Sequence, residues 1–265
     1  MAHALPVPRI RPLGWALIVF RLLLMILLLV VCTPLHLVWR TLHLGRWWPR
    51  VFLAGIGMIA GLHLRVEGRP ARGALLLANH VSWLDIPALA HATGSAFVAH
   101  DGLAAFPFLK WLCEMNDTVF VARHDRASIA QQVQQVRAAM AERGALTLFP
   151  EGTTSDGTGL LPFKSSLLSA LDPLPPGAVV QPVLLAYEDA ARIAWVGEEH
   201  GLDNFKRILA RLRPVRLTIV FLPPLADGAL ADRKAISAAA RARPRGDGRL
   251  ASRGVFGYRR GPCPQ

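Results

Sequence analysis

The sequence predicts an α/β domain on a largely parallel sheet, preceded by a hydrophobic helical membrane anchor. Three observations carry this. Short apolar runs alternate with longer mixed segments from residue 65 onward. Two of those runs stop abruptly in polar stretches, "NHVSWLD" (Asn79–Asp85) and "PEGTTSDG" (Pro150–Gly157). Two long apolar segments come before all of this.

The first segment, Leu13–Trp39, holds one charged residue, Arg21, and Leu22–Trp39 holds none. About twenty apolar residues cross a bilayer, so the segment sits at that threshold. Its length, and the lack of an Ala-x-Ala-like site after it, argue against a cleaved signal peptide. A single spanning helix and a helix lying in one leaflet, with Arg21 snorkelling to the headgroups, both remain. The second segment, Val51–Leu64, is too short to span alone and reads as the partner of a helical pair. Gly57 and Gly61 would let such helices approach closely. Arg9 and Arg11 precede the segments, and Arg40, Arg46 and Arg50 lie between them. Positive charge on both sides fixes no topology but suits an anionic lipid surface. Trp15, Trp39, Trp47 and Trp48 sit near the segment ends, as interfacial anchors do.

"RVEGRPARG" (Arg65–Gly73) breaks the apolar pattern and opens the main domain. Candidate strands are Ala74–Ala78, Ala96–Ala99, Thr118–Ala122, Ala145–Phe149, Val179–Leu185 and Val215–Phe221. Between them, Ile129, Val133, Val136 and Met140 recur at helical spacing over Ala127–Arg143, with Gly144 as C-cap. In such sheets, ligands gather beyond the carboxyl ends of strands. The boundaries read as 1–64 for the membrane-associated helices, 65–230 for the main domain and 231–265 for a helix with a basic tail. That tail begins with a helical pattern, Ala231–Arg243, and then loses all periodicity. From Asp232 onward nine Lys/Arg face two Asp/Glu, so the tail carries +7 of the net +12. A disordered tail, a contact with anionic lipid and a product of an altered reading frame all fit it.

Cys32, Cys113 and Cys263 form neither a disulfide framework nor a CxxC site, which favours a reducing compartment. The nine histidines make no H-E-x-x-H, so no metal site is expected. The basic residues lack aromatic interleaving or a recognisable module, so nucleic acid is not an expected partner.

Histidine is the side chain suited to take a proton near neutral pH, and a carboxylate can fix its tautomer. His80 and Asp85 are five positions apart, about 140° around a regular helix at 3.6 residues per turn. They converge only if His80 lies on the turn after a strand and Asp85 opens the helix. Pro87 supports this, because proline is tolerated in a first helical turn. Asp85 is then equally an N-cap candidate, and the pair equally an ordinary strand–turn–helix. In the second stretch, Pro150 stops a strand, Glu151 is a charge at its exit, and Gly152 permits a sharp turn. The amides of Gly152, Thr153 and Thr154, with the hydroxyls of Thr153, Thr154 and Ser155, suit an anionic headgroup. Arg123, just beyond a strand, suits a phosphate, although a surface arginine is the commoner case.

Together these stretches resemble the PlsC-like lysophosphatidate acyltransferase family of glycerolipid acyltransferases. "NHVSWLD" resembles its Asn-His-x4-Asp box, "TVFVAR" the second box, "FPEGTTS" the third and "VVQPVLLAY" the fourth, in family order across Arg65–Leu225. The resemblance implies a mixed, largely parallel sheet flanked by helices. It implies that His80 is the general base for an acceptor hydroxyl and that Asp85 orients it. It implies that Arg123, Glu151, Gly152, Thr153 and Thr154 hold the acceptor, with Glu151 orienting Arg123 or a glycerol hydroxyl. The expected reaction passes a fatty acyl group from acyl-CoA or acyl carrier protein to the sn-2 hydroxyl of lysophosphatidate, with no cofactor. The expected place is a bacterial inner membrane, with the site on the cytoplasmic side.

Three departures lower the positive charge of the expected headgroup pocket. Thr154 stands where the family often has arginine, Asp117 where it often has glycine, and His100 where it often has lysine. They keep a lyso-ornithine lipid open as the acceptor. A non-catalytic membrane-binding protein on the same scaffold is the alternative from another class.

Overall fold

The computed structural model describes residues 10–44, 47–100, 106–121, 134, 138, 145–171, 174, 177–197 and 199–246. Seven strands form one sheet in the order β1-β7-β6-β2-β5-β3-β4. They are β1 (Leu62–Glu67), β2 (Ala74–Ala78), β3 (Ala96–His100), β4 (Val119–Val121), β5 (Ala145–Leu148), β6 (Val179–Tyr187) and β7 (Val215–Phe221). All neighbours pair parallel except β6 and β7, so the sheet is mixed and largely parallel.

The central strand β2 is buried at every position. Ala74, Leu76 and Ala78 join the core on one face, Leu75 and Leu77 the core on the other. An uninterrupted apolar run is what a parallel strand covered on both faces requires. Helices α1 (Pro12–Thr41), α2 (Trp47–Ile59), α3 (Asp85–Thr93) and α6 (Gly201–Leu209) contribute to the first core. Ile236 and Ala240 of α7 (Arg233–Gly246) and Leu168 of the 3₁₀ turn Ser165–Leu171 contribute to the second. Two shorter helices, α4 (Pro107–Met115) and α5 (Ala190–Ile193), complete the described elements. Pro182 lies inside β6, where a missing N–H would normally break a ladder. It is tolerated because β7 pairs with β6 only from Val183 onward.

The structure differs from the sequence reading in two places. Val51–Leu64 is not one helical segment: α2 ends at Ile59, Gly61 turns the chain at φ +86°, and β1 begins at Leu62. The strand hid because "LHLRVE" extends an apolar helix and lies at a sheet edge, with alternating rather than complete burial. The sheet therefore starts before residue 65. At the other end, the helix assigned to the tail is part of the body, since Ile236 and Ala240 are buried in its core. Of the expected helix Ala127–Arg143, only Gln134 and Ala138 are among the described residues, and the basic tail beyond Gly246 lies outside them.

Helix α1 has thirty residues and is long and apolar enough to cross a membrane. Val19, Phe20, Leu23, Ile26, Leu27 and Val30 are all exposed along it. Arg21 reaches across to α6. Its Nη1 donates to the carbonyls of Leu209 (2.9 Å) and Ile208 (3.4 Å) at the end of α6. Arg50 of α2 likewise donates through Nε and Nη2 to the His91 carbonyl (3.2 and 2.9 Å) near the end of α3. A cation on the last carbonyls of a helix satisfies acceptors the helix leaves unpaired and matches its dipole. Both hydrophobic helices are thus fastened to helix ends of the sheet domain.

Candidate active site

Parallel pairing places three carboxyl ends side by side. Leu77 of β2 pairs with Leu148 of β5, so His80 and Glu151 each follow three residues past a paired position. Ala78 pairs with Val183 of β6, whose last residue is Tyr187. His80, Glu151 and Tyr187 therefore emerge at one edge of the sheet.

The imidazole Nδ1 of His80 lies 2.8 Å from Asp85 Oδ2. The same oxygen accepts from the N–H groups of Val81 (2.7 Å) and Ser82 (3.0 Å). Tyr187 donates its hydroxyl to the other oxygen, Oδ1, at 2.5 Å. Asp85 is fully buried, and these four contacts satisfy it. The carboxylate reaches back toward the turn and does not cap its own helix: the N-cap position is Leu84, which makes no side-chain cap bond. Pro87 is the third residue of α3, in its first turn as expected, where its missing N–H costs nothing. The choice between a cap and an imidazole partner is thus settled geometrically in favour of the partner.

An acceptor-only carboxylate fixes Nδ1 as the protonated nitrogen and leaves the Nε2 lone pair on the opposite side of the ring. One fifth of the His80 side chain is exposed. The ring stacks on Phe149, centroids 4.2 Å apart.

The backbone of His80 is held from both ends by the second motif. Its N–H donates to Glu151 Oε2 (3.1 Å). Its carbonyl accepts from both the N–H (2.7 Å) and the hydroxyl (3.0 Å) of Ser155. Glu151 Oε1 accepts from Leu161 N–H (3.0 Å). Glu151 is 1% exposed, and burial pushes its carboxyl up to about 7 against the opposing pull of its two backbone donors. Its geometry braces the His80 backbone and the loop at Leu161. Ser155 likewise holds the His80 carbonyl.

Gly152 makes the expected sharp turn at φ +68°, and its amide donates to Phe149 (3.1 Å). Thr154 donates its hydroxyl to the Trp195 carbonyl, whose own N–H donates to Val81 (3.0 Å). Thr153 is exposed beside them. Arg123 follows two residues after β4 in sequence and lies outside the described residues. Asn79, which the sequence reading did not single out, is buried and bridges strand ends. Its amide nitrogen donates to Leu185 O (3.1 Å) and its oxygen accepts from Leu185 N–H (2.7 Å). Tyr187 was also missed, because nothing local links it to a residue 102 positions away. Among the described residues, no cluster of three or more His, Cys, Asp or Glu could hold a metal.

The acyltransferase family profile matches residues 63–186, a span that contains His80, Asp85 and Glu151. A lyso-ornithine lipid O-acyltransferase of Rhodobacter capsulatus is 34% identical over 240 residues, covering 82% of this chain and 85% of that protein. The chain belongs to the acyltransferase family. This acyltransferase is also 34% identical to a lyso-ornithine lipid O-acyltransferase of Rhizobium meliloti over 66% of its own chain, spanning 63% of that relative. It is 40% identical to a 1-acyl-sn-glycerol-3-phosphate acyltransferase of Neisseria gonorrhoeae over 52% of its chain and 56% of that one. Among solved structures, it superposes on the 1-acyl-sn-glycerophosphate acyltransferase PlsC of Thermotoga maritima with a TM-score of 0.58, covering 89% of this chain and 95% of that one. At 19% identity that likeness shows the fold. The apolar helix α1 and the lipid-acyltransferase relatives suggest membrane association.

Proposed function

We propose that this acyltransferase esterifies a free hydroxyl of a lysolipid with a fatty acyl group taken from an acyl thioester. The observation that carries the reading is the His80–Asp85 contact at the carboxyl edge of the sheet, with Nε2 directed away from Asp85. In this reading Nε2 takes the proton of the acceptor hydroxyl as the oxygen attacks the thioester carbonyl. Asp85 stabilises the imidazolium that forms. The tetrahedral intermediate collapses, the carbon–sulfur bond breaks, and the imidazolium returns the proton to the leaving thiolate. The products are the ester and a free thiol. No acyl-enzyme is required, and no G-x-S-x-G stretch exists to form one. Acyl-CoA and acyl carrier protein both supply the thioester, and no cofactor enters these steps.

Lysophosphatidate acylated at sn-2 is the acceptor favoured by the resemblance of the four boxes and by the 40% identity to the Neisseria protein over 146 residues. Lyso-ornithine lipid is the second reading. It is favoured by the Rhodobacter relative, which covers 82% of this chain, and by Thr154, whose hydroxyl is given to Trp195 where the family often has a cation. Helix α1 would keep the site at the bilayer, in a bacterial inner membrane with the site facing the cytoplasm. The test supplies purified protein in detergent with one acyl thioester and each lysolipid in turn, and weighs the products by mass spectrometry. Phosphatidate formation supports the first acceptor, and acylated ornithine lipid alone supports the second. Thioester turnover with neither would refute acyl transfer to these lysolipids.

A further inference from the structure

We propose that Tyr187 is a positioning residue that sets the basicity of His80 through Asp85. The inference rests on the reading of His80 as the base, and adds to it a third member that none of the four boxes' catalytic assignments includes. Asp85 presents two oxygens in different situations. Oδ2 holds His80 and two backbone N–H groups. Oδ1 has Tyr187 as its hydrogen-bond donor among the described residues. The phenol comes from the last residue of β6, which pairs with Leu217 of β7, so that ladder fixes its backbone. Asp85 cannot turn about its terminal bond without losing either the imidazole or the phenol.

The electronic consequence has a sign. A donor on Oδ1 draws carboxylate charge away from Oδ2. Less charge on Oδ2 stabilises the His80 imidazolium less, the direction that favours a base. Burial, with the Asp85 charge and hydrogen bond behind it, holds the Tyr187 phenol well above its ordinary range, so it stays a donor throughout. The other titratable groups around His80 are few among the described residues. Glu151 faces it from the loop after β5, and Arg241 of α7 acts on Glu151.

The chain has two tyrosines, Tyr187 and Tyr258, which makes the test clean. The full chain in detergent is labelled with ring-13C histidine, the His80 signal is assigned with His80→Gln, and its titration midpoint is read by NMR. In Tyr187→Phe the midpoint should rise by on the order of one pH unit, the scale of a hydrogen bond to a charged group. In a Tyr258→Phe background, global replacement of tyrosine by the more acidic 3-fluorotyrosine strengthens the donor at residue 187, and the midpoint should fall. Repeating both in Glu151→Gln separates the titration of Glu151 from that of His80. Opposite shifts support the inference, because a purely structural tyrosine would not reverse sign with phenol acidity. A midpoint that stays put in both, or moves the same way in both, overturns it. Should Tyr187→Phe fail to fold, the fluorotyrosine protein decides alone: a fall supports the inference, and no fall overturns it. The titration needs no lysolipid, so absent acyl transfer would refute the proposed function and leave this result standing on its own.

Discussion

Glu151 shows how a carboxyl expected among the acceptor-holding residues also braces the fold. Its motif puts a charge at a strand exit, where substrate contacts are common. The side chain instead turns inward to two backbone N–H groups, one of them that of His80. Burial raises its folded value to about 7 from an ordinary 4.5. The unfolded chain therefore loses this proton first as pH rises, and ionisation favours unfolding between roughly 4.5 and 7. The full effect is on the order of 3 kcal/mol at one unit per 1.4 kcal/mol, present above that window and absent below it. Denaturant midpoints measured across this window should fall more steeply in the wild type than in Glu151→Gln. Parallel curves would show that Glu151 does not hold its proton in the folded state.

At the scale of elements, six of seven strands were legible because each is an apolar run bounded by turn residues. The same pattern put His80 and Glu151 each just past the end of a strand, and the pairing of β2 with β5 brings those ends together. Two things were not legible. The strand Leu62–Glu67 merges with the apolar helix before it, and only Gly61, with its positive φ, separates them. The arginines also misled. Charge between apolar segments reads as lipid contact, yet Arg21 and Arg50 are spent on carbonyls at the ends of α6 and α3. Gly61 has room for this: a Cβ there would lie 3.1 Å from Arg21 Nη2. Hydrogen bonds from a charged donor contribute about 1.5–3 kcal/mol. Arg21→Ala should therefore lower the thermal midpoint in detergent, and Arg21→Lys, which keeps a cation and a donor, should lower it less. Equal midpoints in all three proteins would contradict the docking role of Arg21.

At the scale of the whole molecule, helix α1 carries an apolar exterior. Helix α1 shows Leu23, Leu27 and Val30 outward, while its inward residues Ile18 and Met25 join the core of the sheet domain. An apolar face with the polar fastening beneath it predicts retention by hydrophobic burial rather than by charge. Expressed protein should pellet with membranes, resist extraction by high salt, and release into detergent. Release by salt alone would assign retention to the basic residues instead. The hydrophobic helices fasten to α6 and α3, and α3 begins at Asp85, so the candidate site and the apolar helices share one helix. In the proposed reaction His80, held by Asp85 at this edge, removes the proton of a lysolipid hydroxyl. The most direct measurement is thiol release from an acyl thioester in the presence of lysolipid, compared between wild type and His80→Ala in detergent. Loss of a general base predicts a rate lower by about 10²–10⁴-fold with the fold intact by circular dichroism. A folded His80→Ala protein that releases thiol at the wild-type rate would contradict the claim.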